Sequence, residues 1–393
     1  MIVAGGTGGH IFPALAFGRW LLDNGNAESV IYMSGNRPLE IEIYASHGIE
    51  PHSLDVASSP LAGTLWSSLR RSAWFFFRSF KDTRAFLRRE RPDMCFLFGS
   101  YVSFAPLLYC KWLGVPTIAH EQNACSGKVT RLASRLGVPV ASGWSECRGV
   151  TGAFHTGVPV RSFRRLSRQE AASDLGVKTG DGDIVIGVIG GSLGSAPLSA
   201  LISKMSCGAG RTKQKRVFVV LGDQPKQGAF GAEVEFVGKR WDMAPFYSLC
   251  DAVICRAGAS TLAELAAYGI PALTVPWRGA VDGHQEANAR LFSSMTGGIT
   301  WIEEEDSPKN QKSLEEAFED LLEFAAAKST QNGANAKNDF VNNAASSALW
   351  KFGEEKFGAS TRAAGSFMNK FLRVTIMVLA LNFMLMIMQT AII

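Results

Sequence analysis

A histidine and three polar strand ends carry most of the chemistry legible in this chain. His10 closes the run Ile2-Val3-Ala4-Gly5-Gly6-Thr7-Gly8-Gly9-His10. Glycines there let the backbone turn sharply and leave N–H groups bare, and a helix N-terminus behind the turn favours anions such as phosphate. An imidazole at that mouth suits proton transfer, because it titrates near neutrality. The run Ile186-Gly187-Val188-Ile189-Gly190-Gly191-Ser192-Leu193-Gly194-Ser195 repeats the pattern nearly half a chain later.

Three further clusters follow apolar runs. His120-Glu121-Gln122-Asn123 ends one run, where open α/β sheets place ligands. Arg256-Ala257-Gly258-Ala259-Ser260-Thr261-Leu262-Ala263-Glu264 offers bare amides at a helix start, with a carboxylate one turn in that could accept both hydroxyls of a ribose. Asp282-Gly283-His284-Gln285-Glu286-Ala287-Asn288 presents amides and an imidazole suited to sugar hydroxyls. Each cluster also has a plain structural reading, as a strand–helix turn, a solvated loop or a helix cap.

Several chemistries lack support. The first turn has no P-loop lysine and does not fit G-x-G-x-x-G, so neither ATP hydrolysis nor a dinucleotide site is indicated. Asp181-Gly182-Asp183 matches the D-x-D of metal-dependent sugar transferases, but directly before a strand it reads as a turn. No His/Cys spacing suggests zinc. Neither a metal nor a cofactor is expected.

The elements that must position these groups alternate between strand and helix. Met1–Ala4, Ser29–Met33, 92–98 and 116–120 read as strands, with a helix from His10 to about Asn24 holding Pro13 in its first turn. Asp183–Ile189, Val217–Gly222, Val234–Val237, Ala252–Cys255 and Ala272–Val275 repeat the strand pattern. Helices are expected over Ala259–Tyr268, His284–Phe292 and 303–327. Alternation of this kind predicts parallel sheets, here in two Rossmann-like domains facing a cleft. The expected division is 1–158, 159–328, a linker over 329–370 with one marginal helix near Phe340–Phe352, and an apolar helix over 371–393.

Composition narrows the setting. The chain has 393 residues, 47% of them hydrophobic, which suits two packed domains. A net charge of +5 does not suggest a nucleic-acid partner. The seven cysteines (95, 110, 125, 147, 207, 250 and 255) contain no C-x-x-C pair and read as buried free thiols in a reducing compartment. Between Arg70 and Arg91, eight basic residues surround Trp74, Phe75, Phe76, Phe77 and Phe80. Four adjacent aromatics cannot all face one core, so the stretch reads as a helix lying on an anionic bilayer, or else as a half-buried helix with a solvated basic edge. Residues 374–393 carry no charge, enough for about 30 Å of helix. With Lys370 and Arg373 before them, they read as a single-span anchor leaving the main body at the cytoplasmic face, or as a buried terminal helix.

Taken in order, these motifs together with Gly157-x-Pro-Val-Arg161 closely resemble the MurG family, over residues 1 to about 325. The resemblance implies a B-type glycosyltransferase fold. It implies inverting transfer of N-acetylglucosamine from UDP-N-acetylglucosamine to the C4 hydroxyl of undecaprenyl-linked lipid I, giving lipid II for peptidoglycan. For that reaction His10 is the expected base, because an imidazole titrates near neutrality; the binding roles are carried over from the family by position. Thr7, Gly8, Gly9 and Asn123 should face the transferred sugar or acceptor. Ser192 and Arg161 should meet the diphosphate, Ala259, Ser260, Thr261, Leu262, Ala263 and Glu264 the diphosphate and ribose, Trp241 the uracil and Gln285 the sugar. The basic-aromatic stretch falls where the family docks to membranes.

The chain departs from the family at Leu193 (Gln expected), Val158 (Asn) and Ser100 (Gly). These departures leave two other readings open: a related lipid-acceptor glycosyltransferase, and a membrane-tethered UDP-sugar binder without turnover.

Overall fold

The structure is a computed structural model describing residues 1–55, 65–180, 182–190, 198, 202, 215–224, 230–231, 233–277, 279–296, 299–300, 314–332 and 344–358, with residues 65–77, 281, 299, 314–315 and 326–332 described by backbone only. Ser192, Leu193, Cys207 and the apolar stretch 371–393 therefore lie outside the described residues. Among those described, no helix is long and apolar enough to cross a membrane.

Two parallel sheets organise the chain. The first contains β1 (Ile2–Val3), β2 (Tyr32–Ser34), β3 (His52–Ser53), β4 (Cys95–Leu97), β5 (Thr117–Glu121), β6 (Val140–Ser142) and β7 (Phe154–His155), in the order β3-β2-β1-β4-β5-β6-β7. The second contains β8 (Ile184–Ile189), β9 (Arg216–Val220), β10 (Val234–Phe236), β11 (Ala252–Cys255), β12 (Ala272–Thr274) and β13 (Ile299–Thr300), in the order β10-β9-β8-β11-β12-β13. β1, β4, β5, β11 and β12 are buried along their length, because helices cover both faces. Each sheet reverses winding direction once, between β1 and β4 and between β8 and β11. Crevices at the carboxyl ends of such switch-point strands receive ligands.

The first lobe carries α1 (Gly8–Asp23), α2 (Pro38–Ser46), α3 (Leu65–Glu90), α4 (Phe104–Leu113) and α5 (Lys128–Arg135). The second carries α6 (Arg168–Leu175), α7 (Ala244–Leu249), α8 (Ala259–Tyr268), α9 (His284–Thr296) and α10 (Leu314–Asn332). α1 starts two residues before the expected His10, so Pro13 falls in its second turn, where its ring removes one helical hydrogen bond. Arg216 on β9 pairs with Glu319 of α10 at 3.0 Å, tying that helix to its sheet.

The expected linker helix is a correction. α11 (Ala344–Phe357) is part of the first lobe's core, not a marginal segment. Leu349 and Phe352 are buried beside Phe17, Phe96 and Ile118, and the Phe352 ring stacks on Phe154 at 4.8 Å. The chain thus leaves the first lobe after β7 and returns to it at its end.

Candidate active site

In the first lobe, three strand ends meet at the switch point. The turn after β1 delivers α1, whose Thr7 cap makes no side-chain bond, and among the described residues neither Gly8 nor Gly9 has an acceptor for its N–H. Glu40, fully buried, accepts from the Gly6 N–H and, at 2.9 Å, from the Tyr101 hydroxyl. It also accepts from the Arg37 N–H at 2.9 Å. This carboxylate braces the turn from behind, although the apolar and glycine patterns gave no sign of it. Its one sequence signal is its place three residues after Arg37, at the start of α2.

After β4 the chain passes Gly99 and Ser100. Gly99 has φ +82°, and a Cβ there would lie 3.4 Å from the His10 ring. Ser100 adopts φ +68° and ψ 166°, a region nearly reserved for glycine.

β5 supplies a buried chain of polar groups. His120 Nε2 lies 2.9 Å from the Gly157 carbonyl, and the Gln122 side-chain nitrogen 3.0 Å from both His120 Nδ1 and the His120 carbonyl. Gln122 Oε1 lies 2.8 Å from His10 Nδ1. Burial drops the His120 pKa to about 4, so this ring is neutral at ordinary pH. Glu121 faces away and holds the following loop, accepting from Thr130 at 2.6 Å and from the Gly127 N–H at 2.9 Å.

The second lobe presents a charged cluster. Arg161 Nε donates to Glu264 Oε1 at 2.9 Å, and both side chains are buried. Tyr247 donates to Glu264 Oε2 at 2.6 Å, and Arg161 Nη1 to the Trp241 carbonyl at 2.8 Å. Burial, then the neighbouring carboxylate, raises the Tyr247 pKa and keeps the phenol protonated. α8 begins after Gly258 with no side-chain cap, and the N–H groups of Ala259, Ser260 and Thr261 have no acceptor among the described residues. Leu262 is wholly buried and anchors the helix, while Thr261 and Ala263 are half-buried.

The lobes touch through these same elements. α1 lies against α8, and the Arg161 guanidinium sits 3.9 Å from the Phe12 ring centre. Trp241 packs on Phe12 at 5.8 Å, so a base stacked on Trp241 would lie at the lobe seam. Asn288, fully buried on α9, accepts from the Ala124 N–H at 2.8 Å and donates to Asn123 Oδ1 at 3.1 Å and to the Ala257 carbonyl at 3.1 Å. Asp282 pairs with Arg131 across the same seam.

Most expected site residues therefore converge: Thr7, Gly8, Gly9, His10 and Asn123 on one wall, Arg161, Trp241 and 259–264 on the other. Glu264 differs from its expected open pose, because Arg161 and Tyr247 occupy its carboxylate. Gln285 accepts from the Trp277 N–H at 2.9 Å. Val158 is buried, its methyl 2.4 Å from where a Gly143 Cβ would stand, so the apolar replacement is absorbed in packing. Phe80 turns inward onto Phe104 and Tyr109 rather than outward with its expected aromatic partners, whose side chains are outside the described set.

Two parallel α/β lobes with helix starts and polar strand ends meeting at one seam define a B-type glycosyltransferase. Residues 1–141 match the Glycosyltransferase family 28 N-terminal domain and residues 185–347 its C-terminal domain. A UDP-N-acetylglucosamine--N-acetylmuramyl-(pentapeptide) pyrophosphoryl-undecaprenol N-acetylglucosamine transferase of Alkalilimnicola ehrlichii is 34% identical over 306 residues, 76% of this chain and 84% of that enzyme. The enzyme of the same name from Neisseria meningitidis is 32% identical over 308 residues, with 76% and 84% covered. The crystal structure of Acinetobacter baumannii MurG superposes with a TM-score of 0.61 at 22% identity, covering 90% of this chain and 98% of that one. The chain belongs to the MurG family within glycosyltransferase family 28.

Proposed function

We propose that this protein transfers N-acetylglucosamine from UDP-N-acetylglucosamine to the C4 hydroxyl of lipid I, with inversion, to give lipid II. One observation carries the reading: in a chain of this family, an imidazole whose Nε2 has no partner among the described residues and a buried guanidinium–carboxylate pair stand on opposite walls of one seam. The acceptor oxygen attacks the anomeric carbon and its proton passes to His10 Nε2. The bond from the anomeric carbon to the phosphate oxygen breaks, and its electron pair leaves with UDP. Bare amides at the start of α8, with Arg161, stabilise the departing pyrophosphate. Loading the nucleotide exchanges the Arg161–Glu264 bond for bonds of Arg161 to phosphate and of Glu264 to ribose. Thr7, Gly8, Gly9 and Asn123 face the sugar and acceptor, and Gln285 reads the sugar after releasing Trp277.

The basic side of α3 is proposed to rest on anionic lipid at the cytoplasmic face of the membrane, where a lipid-borne acceptor is found. Arg78 is exposed, and Arg88 and Arg89 crowd the last turn of α3. Electrostatic attraction of this kind weakens with salt.

Calorimetric titration of UDP tests the donor half of the reading. The wild type should bind, and Glu264→Ala should bind at least tenfold more weakly. Unaltered affinity in the variant would restrict Glu264 to a structural role.

A further inference from the structure

We propose that Gln122, held by a His120 that is itself anchored on the Gly157 carbonyl, is a positioning residue that fixes His10 in the tautomer bearing its proton on Nδ1, leaving Nε2 bare to accept a proton. This tautomer gives direction to the base role of His10 proposed above, on which it rests.

The direction is set at the far end of the hydrogen-bond chain. The Gly157 carbonyl can only accept, so His120 Nε2 carries a hydrogen and donates across 2.9 Å. His120 is fully buried, and burial disfavours its charged form. A neutral ring with hydrogen on Nε2 has a lone pair on Nδ1. Gln122 lies 3.0 Å from that lone pair and 3.0 Å from the His120 carbonyl, which also only accepts. Both contacts demand the amide nitrogen, so Gln122 must turn its oxygen towards His10. That oxygen accepts from His10 Nδ1 across 2.8 Å. A neutral His10 then has no hydrogen on Nε2.

Other contacts prevent the chain from inverting. Gln122 is buried, and its own carbonyl accepts from the Trp144 indole N–H at 2.8 Å, which pins the backbone. Gly99 lies under the pair, and a Cβ there would press on the His10 ring at 3.4 Å. His10 itself is half-buried, and its Nε2 has no protein partner among the described residues. An imidazole in water samples both tautomers. Here one is selected by a carbonyl two hydrogen-bonded side chains away. When Nε2 takes the acceptor proton, the Gln122 oxygen already faces the Nδ1–H of the imidazolium.

The test combines a spectroscopic readout with a kinetic split. Two-bond and three-bond proton–nitrogen correlation spectra of the wild type, with His10 assigned by difference from His10→Ala, should show Nδ1 protonated and Nε2 bare above neutral pH. Gln122→Met removes the acceptor at similar volume. It should mix the tautomers and lower kcat about 10- to 100-fold, the scale that outer partners of a functional imidazole carry, with the KM for UDP-N-acetylglucosamine unchanged. Gln122→Glu keeps an oxygen towards His10 but gives up the N–H groups that the two acceptors of His120 demand, and should recover only part of that loss. A wild-type spectrum with Nε2 protonated, or a Gln122→Met variant with unmixed tautomers and unchanged kcat, would overturn the proposal. Full turnover in His10→Ala would instead remove the base role, while the spectrum would still report whether the chain sets the tautomer.

Discussion

The two walls of the seam handle charge in opposite ways. On the first wall the groups at the seam are two imidazoles and an amide, linked by hydrogen bonds of 2.8–3.0 Å and grounded on a backbone carbonyl. The second is ionic, with a guanidinium and a carboxylate buried together and a phenol on the carboxylate's other oxygen. A neutral chain can select where one proton sits without holding net charge in a low-dielectric interior. An ionic pair can trade its partner for a charged ligand. The division suits a reaction in which one reactant gives up a proton and the other gives up an anion. The two walls are joined by one short segment: Gly157 ends the first chain, and Arg161 four residues later enters the second.

The contrast can be broken one wall at a time. The largest effect is expected from His10→Ala, which should cut kcat by about 10²–10⁴-fold, the usual share of general base catalysis, with UDP affinity intact. Steady-state kinetics beside UDP titration separates the two. Glu264→Ala should act on the other wall. It leaves Arg161 buried without its counter-charge and should cost about 3–5 kcal/mol in urea melts.

The neutral chain should also show itself in pH. The folded pKa of His120, about 4, lies below the ordinary histidine value of about 6.5. Between these values the unfolded chain binds a proton that the folded chain refuses. The contribution of His120 is thus present above about 6.5, is lost as pH falls towards 4, and amounts to about 3 kcal/mol. Urea melts across this window should show the decline, and His120→Asn should flatten it. The smallest effect is expected at Ser100, whose φ of +68° is relieved by glycine. Ser100→Gly should raise stability by about 1 kcal/mol, read as a higher melting midpoint.

The sequence showed the walls unequally. Apolar runs followed by glycine turns located β1, β8 and β11 and the two helix starts, and an apolar run after Pro116 located β5, because parallel strands buried on both faces are continuous in sequence. The short edge strands β3, β7 and β13, each two residues long, carry no such run and were not anticipated. α11 was legible only as a weak helix, since the partners that make it stable, Phe96, Ile118 and Phe154, lie some 200 residues or more away. Within the site, residue types pointed to His10 and Glu264, and the family resemblance to Arg161. That Glu264 would be turned onto Arg161, or that Gln122 would link two histidines, depends on distances that no local pattern encodes. Glu40 was missed for the same reason: an acidic residue in a helix's first turn ordinarily reads as a solvated cap.

The central claim is that this seam moves a sugar from nucleotide to lipid-borne alcohol. Purified full-length protein incubated with radiolabelled UDP-N-acetylglucosamine and a lipid I analogue tests it most directly. The account predicts a labelled disaccharide lipid, β-1,4-linked on enzymatic and mass-spectrometric analysis, formed with matching release of UDP. UDP bound without labelled lipid, or label transferred only to a different acceptor, would contradict it.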